Sequence, residues 1–164
     1  MNIYITEEDL QKVWAAGFMD GEGTITIKRV KQRGYIYHQP YITCAQTLKG
    51  NSALKILKDI FGGSLYIYRQ KGQRIDMVQW TIVSKDAMNC AKTLYPYLVL
   101  KKKQAEIIMR FYDEKEIYKY KMPMSEIKRR ENMFIEMRKL NVKGKIKFQL
   151  QRLNEETPKG EATV

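Results

Sequence analysis

The chain has 164 residues, of which 44% are hydrophobic, so it can build one compact domain with a core and is not a disordered chain. Thirty lysines and arginines against 18 acidic residues leave a net charge of +12, which favours a polyanion such as nucleic acid as a partner. The single histidine, His38, argues against His-ligated zinc, an HNH-type nuclease and a Ser-His-Asp triad.

The sequence shows no pattern typical of a membrane span, a signal peptide or a thiolate zinc site. No apolar run reaches the roughly 18 residues that a membrane span needs, and the acidic N-terminal segment lacks the order of a signal peptide. Cys44 and Cys90 form no CxxC pair, so we expect buried, reduced thiols and no thiolate zinc site. We therefore expect an intracellular protein with no membrane partner, in the cytoplasm or nucleoid of a prokaryote or phage host, or in a mitochondrion or chloroplast.

The first predicted element is a helix over residues 6–20. Five apolar or small residues recur there at helical spacing: Leu10, Val13, Trp14, Gly17 and Phe18. Thr6 can cap this helix, and the glycine-rich segment 21–23 ends it. Alternation then predicts strands over 24–31 and 35–47, with a turn at Gly34 and a bulge or sheet edge at Pro40.

The second half of the chain repeats this order and then becomes helical. A helix over 52–61 precedes strands over 64–70 and 75–83, which are joined by a turn at residues 71 and 72. Ser84 can cap a helix over 85–95, and further helices are predicted over 99–113 and 125–140. The last helix places four apolar residues on one face: Ile127, Phe134, Met137 and Leu140. We assign residues 1–141 to one domain and residues 142–164 to a basic, flexible tail.

This order of elements predicts an α+β fold. The two hairpins can join into one antiparallel four-stranded sheet, with the helices covering one of its faces. The other face would stay open and carries Thr, Gln, Tyr, Lys and Arg side chains, which hydrogen-bond to bases and phosphates. Alternation alone is equally typical of an ordinary solvated face, so both interpretations stay open at this point.

Two acids, Asp20 and Glu22, stand at the C-terminal end of the first predicted helix. Each costs on the order of 0.3–1 kcal/mol there, because the helix dipole is negative at that end. A bound divalent cation would reverse this effect, since carboxylates and unpaired backbone carbonyls are hard oxygen ligands. The preceding residues 15–17 are small and would let a second helix approach closely. The alternative is a glycine-terminated helix with two solvated acids.

The same stretch resembles the LAGLIDADG signature of homing endonucleases. Six residues match the signature: Ala16, Gly17, Asp20, Gly21, Glu22 and Gly23. Ala15 stands where the family usually has leucine, and Glu22 where it usually has aspartate. Residues 96–105, with the sequence PYLVLKKKQA, are similar to a second family segment that combines proline, an aromatic residue, leucine and a basic run. The resemblance covers roughly residues 6–112 and implies the αββαββα fold of this family, with a saddle-like sheet.

The resemblance also implies roles for individual residues. Glu22 would bind the catalytic cation, expected to be Mg²⁺, with help from the backbone carbonyl of Gly21. Asp20 would lie near the same site, and Lys101 would orient water or stabilise charge that develops on the phosphate. Gln46 lies where the family often has a polar residue near the scissile phosphate. Without the resemblance, Lys101 is simply one charge of a solvated lysine run.

Because the motif occurs once, the resemblance implies a homodimer that makes a double-strand break, with the two motif helices packed together. The residues expected at that dimer interface are Trp14, Ala15, Ala16, Gly17, Phe18 and Gly21. The two sheets together would bind a long, partly palindromic site in double-stranded DNA. The residues expected to face the DNA are Thr24, Thr26, Lys28, Gln32, Arg33, Tyr35, Tyr37, Gln39, Tyr41, Thr43, Tyr66, Tyr68, Arg69, Gln70, Arg74, Met77, Gln79 and Thr81.

Other functions remain open on the sequence. A protein of this fold could serve as a maturase that binds intron RNA, or as a DNA-binding regulator that does not cut. The intact Asp20, Glu22 and Lys101 favour cleavage without excluding a dual role. A basic RNA-binding structural protein could use tyrosines for stacking, but the paired acids would then have no explanation. The tetrapeptide at 34–37 suggests a GIY-YIG nuclease only weakly. The length favours an intron-encoded or standalone gene.

Overall fold

The computed structural model of the chain describes residues 5–69, 72, 75–112 and 122–141. The predicted tail over 142–164 lies outside the described residues, as do the candidate DNA-binding residues Gln70 and Arg74. The domain boundary at residue 141 therefore stays a prediction.

The described residues form five α-helices, one short 3₁₀ turn and four strands. In chain order these are α1 (Glu7–Glu22), β1 (Gly23–Gln32), β2 (Tyr35–Thr47), the 3₁₀ turn Leu48–Gly50, α2 (Asn51–Phe61), β3 (Ser64–Tyr68), β4 (Met77–Val83), α3 (Ser84–Leu94), α4 (Lys102–Met109) and α5 (Met124–Leu140). The strands make one antiparallel sheet in the order β1-β2-β4-β3. The predicted α+β fold is thus confirmed, with three helices after the second hairpin.

Local sequence explains how α1 begins and how it passes into β1. The Thr6 hydroxyl accepts a hydrogen bond from the Asp9 amide at 3.1 Å, while the Asp9 carboxylate accepts one from the Thr6 amide at 3.2 Å. These two bonds satisfy orphan amides of the first turn. At the other end, a Cβ on Gly23 would lie 2.0 Å from the sulfur of Met19. Glycine therefore lets the chain turn from helix to strand against its own last turn.

Side chains along the strands alternate between a helix-covered face and an open face. The covered row is buried: Ile25, Ile27, Ile42, Cys44, Val78, Trp80 and Ile82. Each large member stabilises the fold by roughly 1.5–3 kcal/mol. Trp80 also donates from its indole nitrogen to the Gly62 carbonyl at 2.8 Å, which fixes the end of α2 against β4. All the covering helices lie on this side, as the alternation predicts.

Several local predictions differ from the structure. The helix predicted over 99–113 is shorter, Lys102–Met109, because residues 99–101 form a bend that is held by contacts with α1. Ser84 does not cap α3. Its φ is 57°, and its hydroxyl accepts a hydrogen bond from the side-chain nitrogen of Gln39 at 3.0 Å. On α5, Ile127 is exposed rather than packed. Local pattern cannot anticipate these outcomes, since tertiary contacts decide each of them.

The remaining boundaries agree closely with the pattern. The strand predicted over 64–70 ends at Tyr68. On α5, Leu140 is 36% exposed, and the packed side of the helix is formed by Met133, Phe134 and Met137. At Pro40 β2 is paired with β1 alone, because the β2–β4 ladder begins at Tyr41. Pro40 thus lies at a local sheet edge, as its missing amide requires.

Among the described residues, none of the helices combines the length and apolarity needed to cross a membrane.

Candidate active site and sheet surface

The end of α1 meets the segment that connects α3 to α4. The Asp20 carboxylate accepts a hydrogen bond from the Val99 amide at 2.7 Å and a second from the Lys101 amide at 2.9 Å. The Lys101 ammonium group donates to the backbone carbonyl of Asp20. The fold therefore joins the two motifs that the sequence singled out, although about 80 residues separate them.

Glu22 and Lys101 both lie at the end of α1, where the chain enters the sheet. Glu22 is the last residue of α1 and is exposed, and the next residue, Gly23, pairs with Cys44 across β1 and β2. Burial raises the pKa of the Cys44 thiol to about 12, while the charge of Lys101 lowers it and that of Glu22 raises it. The thiol itself is only 1% exposed.

Gln46 lies two residues beyond Cys44 on β2 and is half-buried. Its side-chain oxygen lies 3.4 Å from the position that a Cβ on Gly50 would take. The side chain therefore turns toward the start of α2, on the covered side of the sheet. The structure places Gln46 at the expected end of β2, and its proposed role near a phosphate would need another side-chain orientation.

The oxygens near Glu22 have the chemical character that a hard cation requires. The last turn of α1 carries no basic residue, and its backbone carbonyls add partial negative charge to the Glu22 carboxylate. One carboxylate and the Gly21 carbonyl would fill only part of a Mg²⁺ coordination shell, which is octahedral. The described residues contain no group of three or more His, Cys, Asp or Glu side chains placed to hold a metal ion.

The outer face of α1 differs from the expected dimer interface. Ala15 and Ala16 are 0% exposed because they pack against the core of their own chain, so they cannot present surface to a second helix. Phe18 is half-buried and stacks on Trp14 with ring centroids 5.4 Å apart. Of the predicted interface residues, Trp14, Gly17 and Gly21 lie exposed.

Two apolar residues complete this outer face and were not predicted to belong to it. Leu10 is 58% exposed and Val13 is 49% exposed, in line with Trp14 and Gly17 at helical spacing. We call the set Leu10, Val13, Trp14, Gly17 and Gly21 the outer face of α1. The signal was present in the sequence, since α1 carries two apolar stripes where a helix that covers one core needs only one.

The candidate DNA-binding residues of the strands lie on the open face of the sheet. Those on the open face or at its hairpin ends are Thr24, Thr26, Lys28, Gln32, Tyr35, Tyr37, Gln39, Tyr41, Thr43, Tyr66, Tyr68, Met77, Gln79 and Thr81. The β1–β2 tip is fully exposed, and its tight turn places Arg33 at φ 52° and Gly34 at φ 82°. Arg69 follows β3 and forms an ion pair with Asp76 at 2.7 Å.

The centre of the open face is already hydrogen-bonded within the protein. The Gln79 amide nitrogen donates to the Thr43 hydroxyl at 2.6 Å and to the Tyr41 hydroxyl at 3.1 Å. Thr43 in turn donates to the Trp80 carbonyl at 2.7 Å. Lys28 extends over the Tyr41 ring, 3.2 Å from its centroid, and Tyr41 is only 8% exposed. These central residues form an ordered layer that is surrounded by more exposed side chains such as Thr24 and Tyr66.

Comparison with known proteins agrees with this geometry. The sequence profile described as LAGLIDADG endonuclease matches residues 15–118. No curated protein sequence matches the chain. Among solved structures the chain is similar to the homing endonuclease I-CvuI in complex with its target in the presence of 2 mM Ca, with 26% identity, coverage of 63% of this chain and 66% of that chain, and a TM-score of 0.56. It is also similar to the archaeal intron-encoded homing endonuclease I-Vdi141I complexed with DNA, with 19% identity, coverage of 84% and 88%, and a TM-score of 0.64.

A motif helix that ends in two acids and leads into a four-stranded antiparallel sheet defines a class of DNA endonucleases. The chain belongs to the LAGLIDADG endonuclease family. The match begins at Ala15, within the motif helix, and extends past Lys101, so it includes all of the candidate catalytic residues.

Proposed function

We propose that this protein is a homing endonuclease that binds a long, partly palindromic DNA site as a homodimer and breaks both strands by metal-dependent hydrolysis. One observation carries the proposal: the Lys101 ammonium group, from a distant part of the chain, is hydrogen-bonded to the Asp20 carbonyl in the last turn of α1, two residues before Glu22. A carboxylate and an ammonium group next to a polar sheet surface suit a reaction on a phosphodiester, which needs both a cation site and a positive charge.

The roles of the individual groups follow from their chemistry. Glu22 and the Gly21 carbonyl are the groups that would hold Mg²⁺, because this ion prefers oxygen ligands. When bound, the cation supplies charge stabilisation for the phosphodiester and for the water that attacks it. Lys101 contributes a fixed positive charge for the phosphate oxygens. The presence of calcium in the I-CvuI complex supports a divalent cation in this family.

The outer face of α1 supports the homodimer. Leu10, Val13 and Trp14 are between 38% and 58% exposed, and neighbouring Gly17 and Gly21 add no side-chain bulk. Burying apolar surface stabilises an interface by roughly 25 cal/mol per Å², and the glycines let two helices approach closely. A two-fold contact here would bring the Glu22 carboxylates of the two chains near each other, one for each DNA strand.

The open face of the sheet supports DNA as the substrate. Its exposed residues combine hydrogen-bonding side chains with the Lys28 and Arg33 charges, and the whole chain carries +12. A β-surface of this kind can enter the major groove, where base edges present distinct donors and acceptors. The similar structures of I-CvuI and I-Vdi141I were both determined with DNA.

A cleavage assay tests the proposal. The wild-type protein is incubated with linear DNA that carries the uninterrupted insertion junction of its own gene, either in Mg²⁺ or in EDTA. We expect two discrete fragments in Mg²⁺ only, and none from the same DNA after the junction is scrambled. Tight binding without cutting in any divalent cation would instead identify a non-cleaving DNA-binding protein. Preferential binding of the intron RNA would identify a maturase.

A further inference from the structure

The segment that carries Lys101 has little apolar packing at its end. Leu98 is 3% exposed and anchors the segment, but Val99 is 79% exposed and Leu100 is 74% exposed. Residues 99–101 form a bend rather than a helix, and α4 begins only at Lys102. Hydrophobic burial therefore contributes little to holding Lys101 in place, and other contacts must define its position.

The Asp20 side chain supplies those contacts. Its Oδ2 accepts from the Val99 amide at 2.7 Å and its Oδ1 accepts from the Lys101 amide at 2.9 Å, so both carboxylate oxygens bind this bend. The Lys101 ammonium group in turn donates a hydrogen bond to the Asp20 backbone carbonyl. One residue of α1 thus holds Lys101 at its backbone and at its side chain.

We propose that Asp20 is a positioning residue, which fixes Lys101 at the end of α1, two residues before Glu22, and does not itself act on the phosphodiester. This inference rests on the proposed function, in which Lys101 stabilises charge on the phosphate. It separates the roles of the two acids of the family signature, which are separated by one residue in the chain. Glu22 presents an exposed carboxylate to the site, whereas the Asp20 carboxylate is occupied by backbone amides.

The two roles predict different kinetic consequences. When Asp20 is replaced, the 99–101 bend loses both amide contacts and Lys101 samples other positions. Misplacement of a catalytic group by about 1 Å can cost on the order of 10²-fold in rate, so the turnover rate falls while the affinity for DNA stays within about twofold. Raising the Mg²⁺ concentration does not restore the rate, because the cation ligands are still present.

The test compares Asp20→Ala and Asp20→Asn with Glu7→Gln, an exposed acid at the other end of α1 that serves as the control. Single-turnover cleavage, DNA affinity and Mg²⁺ titrations are combined with hydrogen exchange of the Val99 and Lys101 amides in the protein without DNA. We expect faster exchange at both amides in Asp20→Ala. Asn keeps one acceptor oxygen, so we expect faster exchange at one amide and a smaller loss of rate.

The opposite result is equally well defined. Unchanged exchange at both amides, together with cleavage that recovers at high Mg²⁺, would make Asp20 a cation ligand and overturn the proposal. If Asp20→Ala fails to fold, Asp20→Asn decides by the same two readouts. Because hydrogen exchange is measured without cleavage, it tests Asp20 even if the wild-type protein cuts no DNA, a result that would count against the proposed function instead.

Discussion

The outer face of α1 and the open face of the sheet are both exposed, and their side chains differ in kind. The outer face of α1 is apolar and small, with Leu10, Val13 and Trp14 beside two glycines. The open face is polar, and its central residues Tyr41, Thr43 and Gln79 are hydrogen-bonded to one another. Burial of an apolar helix face against another protein surface lowers the free energy of the complex, whereas an ordered polar layer suits a hydrated, charged partner.

The proposed active-site residue Glu22 lies where these two surfaces meet. Glu22 is the last residue of α1 and immediately precedes β1, so it lies at the end of the outer face and at the edge of the open face. A second chain on the outer face and a DNA duplex on the open face would therefore both lie close to Glu22. Substitutions at Glu22, on the outer face of α1 and on the open face disturb different parts of this arrangement.

The largest effect is expected for Glu22→Gln, which alters the junction itself. Glutamine keeps the shape of the side chain and removes the charge that would hold a cation, so cleavage should fall by roughly 10²-fold or more. DNA affinity and the dimer should be unchanged. The measurement is single-turnover cleavage in Mg²⁺ alongside a binding titration. A variant that cuts at the wild-type rate would remove Glu22 from the site.

Gly17→Leu tests the outer face of α1. A Cβ at Gly17 meets no atom within 4 Å, so the isolated chain can accept leucine there, and its helix propensity improves. In a close helix–helix contact the added bulk should cost about 1–3 kcal/mol of dimer stability. Analytical ultracentrifugation should show a weaker dimer and cleavage should fall with it, while the thermal stability of the monomer is kept.

Gln11→Leu is the matched control, because it also adds leucine to α1 but on the flank that borders Ile60 and Phe61 of α2. It should leave the dimer intact. A wild-type chain that is monomeric at micromolar concentration and still makes clean double-strand breaks would contradict the two-fold arrangement.

Substitutions on the open face should separate base recognition from sheet order. Tyr68→Ala should change preference at particular base pairs, by about 1–3 kcal/mol per affected pair, and leave stability nearly unchanged. Gln79→Ala should also lower stability, since it removes the shared donor of Thr43 and Tyr41, at roughly 0.5–1.5 kcal/mol per hydrogen bond. Competition binding against single-base target variants, with parallel thermal melts, measures both effects. Equal melting temperatures for the two variants would show that the central layer adds no stability.

The smallest effect is expected in the salt dependence of binding. A dimer would carry twice the +12 of one chain, so DNA affinity should fall steeply between low and moderate salt. Lys28→Gln should reduce the slope of log affinity against log salt by about 1 if Lys28 contacts a phosphate. Arg69→Gln should reduce it less, because Arg69 is already paired with Asp76. Affinity that does not depend on salt would argue against the sheet as a DNA surface.

Much of the fold follows from pattern alone. The alternation along 24–31 and 35–47 predicts β1 and β2 with their open and covered faces, and the spacing of the two motifs predicts the family. The capping box at Thr6 and Asp9 and the glycine end of α1 are likewise local, since each involves residues within one helical turn. Local signals of this kind do not depend on what packs against the helix.

The roles of the two stripes of α1 could not be told apart in this way. Both the Ala15, Ala16 and Met19 stripe and the Leu10, Val13 and Trp14 stripe are apolar or small, and only packing shows that the first faces the core. Size does not separate them either, because the buried stripe combines two alanines with the large side chain of Met19. The expected dimer interface stays a prediction, and within it Ala15 and Ala16 are already buried in the core of their own chain.

The sequence by itself identified the candidate groups: two acids at a helix end, a lysine in a distant basic run, and a polar strand face for binding. Only the tertiary structure decided which donors each acid meets, because it brings Val99 and Lys101 to Asp20 and leaves Glu22 exposed. The physical reason is that a carboxylate's role depends on which donors reach it. Those donors are backbone amides about 80 positions away, and backbone amides have no signature in the sequence.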